Sequence, residues 1–287
     1  MKKLWYLTAI ALILIGLAGV ASYGWKSTSD KLPEFEKTWT FAAADLRKLH
    51  IVSDYDVNIS FVKSTDGTNS IQLKGHGTDK MIEKAMKTEI SSQSLKFDLT
   101  RLPKKYINFF DFNFDSVNED FVISVTDDSV LDSLNVKVDS GTMNITDAAI
   151  LRIADADLTA DSGNITINNF KSDRLNVHVD SGKINGNKVT TDLTATASSG
   201  NIKFENMTGR TSVSVDSGNI KLYKLDTSSA ELSADSGNVY VQVPAAFAGF
   251  YDLQADSGLV RSPEPKRDTK DYVKVRTDSG NIIVEQQ

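Results

Sequence analysis

The sequence predicts an all-β chain built mainly as a parallel β-solenoid, a β-helix of about eight coils, and two observations carry that prediction. The first is a corner tripeptide. Asp-Ser-Gly occurs at Gly141, Gly163, Gly182, Gly218, Gly237, Gly258 and Gly280, and an eighth copy reads Ser198-Ser199-Gly200. Successive glycines lie 22, 19, 18, 18, 19, 21 and 22 residues apart, a near-constant period that marks stacked repeats. The second is a set of apolar columns. Two residues after the glycines stand Met143, Ile165, Ile184, Ile202, Ile220, Val239, Val260 and Ile282. Five before stand Val136, Leu158, Val177, Ala195, Val213, Leu232, Leu253 and Val275, and three before stand Val138, Ala160, Val179, Ala197, Val215, Ala234, Ala255 and the polar Thr277. Polar residues alternate with them, so each unit reads as strand, corner, strand. An antiparallel sandwich is the alternative for evenly spaced strands, but its successive hairpins point to opposite ends and call for no identical corner in every unit.

The corner residues have local reasons. A sharp turn with positive φ costs little only for glycine. The Asp carboxylate is expected to accept the N–H two residues on and close an Asx turn. Asn follows the glycine at Asn164, Asn201, Asn219, Asn238 and Asn281, where stacked amides can bond from coil to coil. A second corner is expected about seven residues after each glycine, with Phe170, Val189, Met207 and Leu225 beside polar turn residues.

The corner carboxylates would stack at the strand spacing of about 4.8 Å, where two unit charges repel by about 0.9 kcal/mol in water. A row of hard cations is one way to relieve this, with Asp161, Asp180, Asp216 and Asp235 as candidate calcium ligands. Two features oppose that reading. Calcium-binding repeats use nine-residue spacing, and Ser198 replaces the Asp without disturbing the period. No cofactor is expected.

Ahead of the repeats the chain divides into short parts. Residues 1–3 are a basic stub, and residues 4–25 are an uncharged apolar run of about 33 Å as a helix, enough to span a hydrocarbon core. Trp5, Tyr6, Tyr23 and Trp25 bracket it, and Lys2 and Lys3 orient it with the amino terminus in the cytoplasm. It reads as a single-pass signal anchor in the cell membrane with the carboxy-terminal body outside. The competing reading is a cleaved signal peptide ending near Gly19-Val20-Ala21. Residues 26–45 are a tether, residues 46–130 a β-rich cap with one short helix, and residues 131–287 the repeats. Within the cap, Ser53-Asp54-Tyr55-Asp56 occupies the place of a degenerate first corner, with a turn at Asp66-Gly67. Met81, Ile82, Ala85, Met86 and Ile90 recur at helical spacing after Thr78-Asp79. The segment 106–114 holds five aromatics, Tyr106, Phe109, Phe110, Phe112 and Phe114. They form either a contact surface for sugar rings or membrane, or a cover for an exposed strand edge.

Composition excludes several classes. The chain has no cysteine, hence no disulfide, thiol chemistry or lipidated Cys; an exported chain of this kind reads as bacterial. A net charge of −6 with no basic stripe argues against nucleic acid. His50, His76 and His178 show no metal-ligand spacing, and no Gly-x-Ser-x-Gly elbow nominates a nucleophile. The chain reads as non-enzymatic. The alternatives are an adhesin for a surface polysaccharide or matrix, and a polysaccharide-active enzyme using paired carboxylates on a β-helix.

The Asp-Ser-Gly-Asn-Ile units, the preceding Ser53-Asp54-Tyr55-Asp56-Val57-Asn58-Ile59 and the strand entering at Leu134-Asn135-Val136-Lys137-Val138-Asp139 resemble the putative-adhesin (DUF4097-type) domain of LiaG-like proteins. The resemblance covers roughly residues 46–287. It implies a membrane-anchored β-solenoid outside the cytoplasmic membrane, with an envelope component or a neighbouring membrane protein as partner. For LiaG-like proteins it further implies a link to the cell-envelope stress response.

Overall fold

The computed structural model describes residues 32–100 and 118–287. The anchor segment 4–25 and the aromatic segment 106–114 lie outside the described residues. Among those described, no helix is long and apolar enough to cross a membrane.

The strands are β1 (Glu34–Phe41), β2 (Lys48–Ser53), β3 (Asp56–Lys63), β4 (Asn69–His76), β5 (Ser94–Leu99), β6 (Asn118–Val125), β7 (Val130–Thr146) and β8 (Arg152–Thr208). They continue as β9 (Thr211–Ser217), β10 (Ile220–Lys224), β11 (Ala230–Ser236), β12 (Val239–Val243), β13 (Phe250–Ser257), β14 (Val260–Arg261), β15 (Tyr272–Ser279) and β16 (Ile282–Gln286). Among the described residues, one α-helix, α1 (Asp79–Lys87), and a 3₁₀ turn at Ala148–Ile150 complete the set. β7 and β8 run unbroken through their corners, β8 for 57 residues.

The units stack in parallel, in register. Ser140 pairs Ser162, Gly141 pairs Gly163 and Met143 pairs Ile165 between β7 and β8. The inward columns are buried as their alternation requires: Val136, Val138, Met143, Ile165, Ile184, Val179 and Val275 are all fully inaccessible. Each such side chain contributes roughly 1.5–3 kcal/mol of hydrophobic stabilisation.

The glycines are fixed by close approach as well as by φ. Their φ values lie between 146° and 155°, and a Cβ on Gly163, Gly182 or Gly218 would sit 1.7, 1.6 or 1.6 Å from the carbonyl oxygen of the glycine one coil below. The expected Asx turn gives way to this stacking. The N–H groups of Gly218, Gly237 and Gly280 donate to the Ser236, Ser279 and Ser257 carbonyls of the adjacent coil, each at 2.9 Å. The Asn ladder does form: Asn201 Oδ1 accepts from both the backbone N–H and the side-chain amide of Asn219 at 3.0 Å, and Asn219 does the same for Asn238. A second ladder joins Asn168, Asn187 and Asn206 at 3.2 and 2.8 Å. There Asn169, Lys188 and Asn206 take the left-handed conformation with φ near 54°, which Asn tolerates better than most residues.

The coils do not follow one another throughout. β15 pairs β11 on one side and β13 on the other, and β16 likewise lies between β12 and β14. The unit of Gly280 is thus inserted between those of Gly237 and Gly258. Thr277, the one polar residue in its column, satisfies its hydroxyl on Gly237 O at 3.3 Å. The other end shows the same device. β2 and β3 pair with β7, confirming a first coil at Ser53–Asp56, while the later β5 and β6 pair outside them. At that corner the Asp56 carboxylate takes the Thr142 N–H at 2.6 Å and so begins the ladder.

The β5/β6 end is closed. β4 pairs antiparallel with β6, and β1 antiparallel with β4. Trp39, Phe97 and Phe121 stack edge-to-face at 4.9 and 5.1 Å beneath them. Helix α1 lies against β5 and β1, burying Met81 and Ala85. Thr78 makes no side-chain cap bond. The C-terminal end of α1 is held instead, by Lys37 Nζ on Met86 O and Thr88 O (2.7 and 2.6 Å) and Trp39 Nε1 on Thr88 O (2.8 Å), placing a cation at the negative helix end.

One expected column is corrected. Leu225 is 61% exposed, whereas Lys224 is buried. A bulge between Leu222 and Lys224 aligns Lys224 with Met207, and a one-residue slip turns every side chain to the other face.

Candidate binding groove

Outward-facing residues also form columns, one residue per coil. The register stacks Asp155, Arg174, Asp192 and Arg210 at intervals of 19, 18 and 18 residues, followed by Ser229 and Tyr272. The next column holds Asp157, Asn176, Thr194, Ser212, Glu231, Lys274 and Asp252. A groove of about 560 Å³ is lined by the first column from Arg174 to Tyr272, by the second from Asn176 to Glu231, and by Lys270 and Asp271.

Part of this surface is internally paired. Arg174 donates to both Asp155 oxygens at 2.5 and 2.8 Å, and the bond raises the Arg174 pKa. Lys274 meets Glu231 at 2.5 Å, and Arg276 forks onto Asp252 at 2.8 and 2.7 Å. Among the described residues, Arg210 and Lys270 form no ion pair or side-chain hydrogen bond. Both are exposed, as are the groove carboxylates Asp192 and Glu231. The arrangement offers two uncommitted cations, several carboxylates and hydroxyls, and the Tyr272 ring, stacked on Phe250 at 5.8 Å. That chemistry suits a polar chain lying across several coils.

Lys224 supports the groove from beneath. Its ammonium meets the Gly209 carbonyl, Ser228 Oγ at 2.7 Å and Asp226 Oδ1 at 2.9 Å, the last as an ion pair outside hydrogen-bonding geometry. Asp226 Oδ2 accepts the Gly209 N–H at 3.0 Å. Burial pulls the Lys224 pKa down, with Asp226 opposing. These bonds tie together the connections that present Arg210 and Ser229.

The corner acids stand apart from the groove. Asp161, Asp180, Asp216 and Asp235 project one per coil along the corner edge. Asp161 meets Lys137 at 3.3 Å, and Asp180 accepts from His178 Nε2 at 2.8 Å. At the start of the row a hydrogen bond between the carboxyls of Asp139 and Asp161 raises the Asp139 pKa. Among the described residues no three acidic or histidine side chains converge to hold a metal. The groove columns face outward, where apolar alternation carries no signal. Writing out the column eight residues before each glycine displays Asp155, Arg174, Asp192 and Arg210 directly.

The solved structures the chain resembles include a putative adhesin from Bacteroides fragilis, at 13% identity over 88% of this chain and 97% of that one, with a TM-score of 0.42. A putative lipid binding protein from Parabacteroides distasonis is 13% identical over 86% and 96%, TM-score 0.40. A putative cell adhesion protein from Clostridium sporogenes is 11% identical over 89% and 100%, TM-score 0.28. No curated protein matches the chain. The family model of Toastrack DUF4097 matches residues 46–285, the whole β-stack from the first coil onward. The chain belongs to the Toastrack DUF4097 family.

Proposed function

We propose that this protein is a membrane-tethered, extracytoplasmic binding scaffold of the bacterial cell envelope that holds a polar envelope polymer or a neighbouring membrane protein along its coils. The observation that carries the reading is the groove: Arg210 and Lys270 are uncommitted while the surrounding charges are paired or exposed to solvent. The groove crosses consecutive coils of one stack, so a chain-like ligand meets a new pair of outward polar side chains at each step of about 4.8 Å. Residues 4–25 supply the anchor in this reading, and Pro33, whose carbonyl accepts the Gly77 N–H at 3.0 Å, brings the tether in at the closed end. The LiaG-like resemblance adds a part in the envelope stress response.

The test is photocrosslinking in the native membrane from a reactive group at Thr194, which lines the groove. One adduct is expected, and Arg210→Ala with Lys270→Ala should reduce it by about tenfold, the effect of losing charged contacts worth roughly 1.4 kcal/mol. An adduct indifferent to both substitutions, or none at all, would contradict the reading.

A further inference from the structure

The two ends of the stack are finished differently, and the β13/β14 end is left as an interface. Between the two end layers the inward columns are sealed by a coil on either side. In this outermost layer Tyr251, Leu253 and Ala255 are only half-buried, and Val260, inward in register with Ile282, is 41% exposed. The Asn ladder also stops here. Where its neighbours carry Asn238 and Asn281, this coil carries Leu259, which is 62% exposed. Terminal repeats of soluble solenoids normally present a polar outer face. This one replaces the expected amide with an apolar side chain.

The outer edge of β13 is thinly protected, with Asp252 and Asp256 as its charges. β13 pairs only with β15 and β14 only with β16. Phe250-Tyr251-Asp252-Leu253-Gln254-Ala255-Asp256-Ser257 contains no Lys, no Pro and no bulge, the devices that blunt exposed edges.

The pattern of that strand selects its occupant. An antiparallel pairing of β13 with a second β13, centred on Leu253, places Leu253 opposite Leu253. Tyr251 then faces Ala255 and Asp252 faces Gln254. Inward residues meet inward residues, large meets small, and no two like charges oppose each other. Of the two acids on the strand, Asp252 is already neutralised by its fork from Arg276, and Asp256, which accepts from the Gln254 amide at 3.3 Å, faces Phe250. A centre shifted by half a residue pair would set inward against outward positions, so few registers satisfy both faces. We infer that the β13/β14 layer is a two-fold interface through which a second copy of this chain continues the sheet and closes the core. This inference is independent of the ligand in the groove.

The native chain lacks cysteine, so a single introduced thiol reports on the contact. In the full chain in its membrane, Leu253→Cys on the two-fold axis should form a disulfide-linked species of twice the mass under mild oxidation, because directly opposed residues lie within about 4.5–5.5 Å. Asp66→Cys, on an exposed turn at the closed end, should not. Adding Leu259→Lys and Val260→Lys to Leu253→Cys should lower the yield by more than about tenfold, the affinity equivalent of roughly 1.4 kcal/mol, with the melting temperature unchanged because both residues are exposed. A monomer at Leu253→Cys with unaltered melting, linkage to a different protein, or equal linkage from Asp66→Cys would overturn the inference.

Discussion

The closed end and the open end are built on one plan and differ in what lies beyond the last coil. At both, the outermost layer is a coil from within the chain, and the neighbouring coil in sequence is tucked inside it. β2/β3 lies under β5/β6, and β15/β16 under β13/β14. A coil held on both faces must lose two ladders to fray. Beyond this shared device the ends part. One adds two antiparallel strands, a helix and an aromatic plug of Trp39, Phe97 and Phe121. The other stops at Leu253, Leu259 and Val260. Stacking alone therefore orders the coils, but finishing a stack takes a separate structure or a partner.

The largest expected effect tests the interior against the open end. Gly218→Ala should cost about 5 kcal/mol or more, since its Cβ would lie 1.6 Å from Gly200 O with a coil on either side. Gly258→Ala meets Gly280 O at 1.9 Å but can shift outward, and roughly half that loss is expected in denaturant melts. Equal losses would mean the outer coil is held as firmly as the inner ones.

The closed end carries a pH signature in a buried carboxyl. Glu119 on β6 is fully buried, and neither carboxyl oxygen has a hydrogen-bond partner. Burial raises its pKa to about 8, the nearby Ser53 hydroxyl opposing and the Asp54 charge assisting. The folded state therefore holds this proton more tightly than the unfolded chain does. Its contribution is complete below the ordinary value near 4.5 and is lost as pH rises towards 8, a fall on the order of 4 kcal/mol. Glu119→Gln should flatten that fall and raise the melting temperature at pH 8. Hydrogen exchange should place the loosening in β5, β6 and α1. Loosening that begins at β13 would contradict the comparison.

Truncation of one column should grade with position. Leu232→Ala, at 1% exposed in the interior, should cost about 3 kcal/mol, and Leu253→Ala at the open end about 1 kcal/mol in dilute monomer. The smallest effect belongs to the corner acids. Asp216→Ser should change stability by less than about 0.5 kcal/mol, as Ser198 suggests, and a chelator should leave the melting temperature where it is.

The inward columns, both Asn-bearing corners and the degenerate coil at Ser53–Asp56 were legible because period-two alternation and corner chemistry are local properties. Coil order was not. Units of near-identical sequence say which residues face inward but leave open which unit lies beside which, and only Thr277 and Leu259 hinted at exceptional neighbours. Leu225 misled because a bulge is invisible to a simple count. Glu119 was hidden between Asn118 and Asp120, in a run that reads as solvent-facing. The groove was legible in principle, since Arg174 and Arg210 alternate with acids at the repeat period.

Coil order is the claim on which both ends rest, and paired thiols test it directly. With no native cysteine to interfere, Glu231→Cys can be combined with either Lys274→Cys or Asp252→Cys. β11 lies beside β15, where Glu231 pairs Lys274, at a strand spacing of about 4.8 Å within disulfide reach. Asp252 is one strand farther away, at about twice that distance. The inserted order predicts rapid disulfide formation for Glu231 with Lys274 and none for Glu231 with Asp252. A stack that followed the sequence would give the reverse.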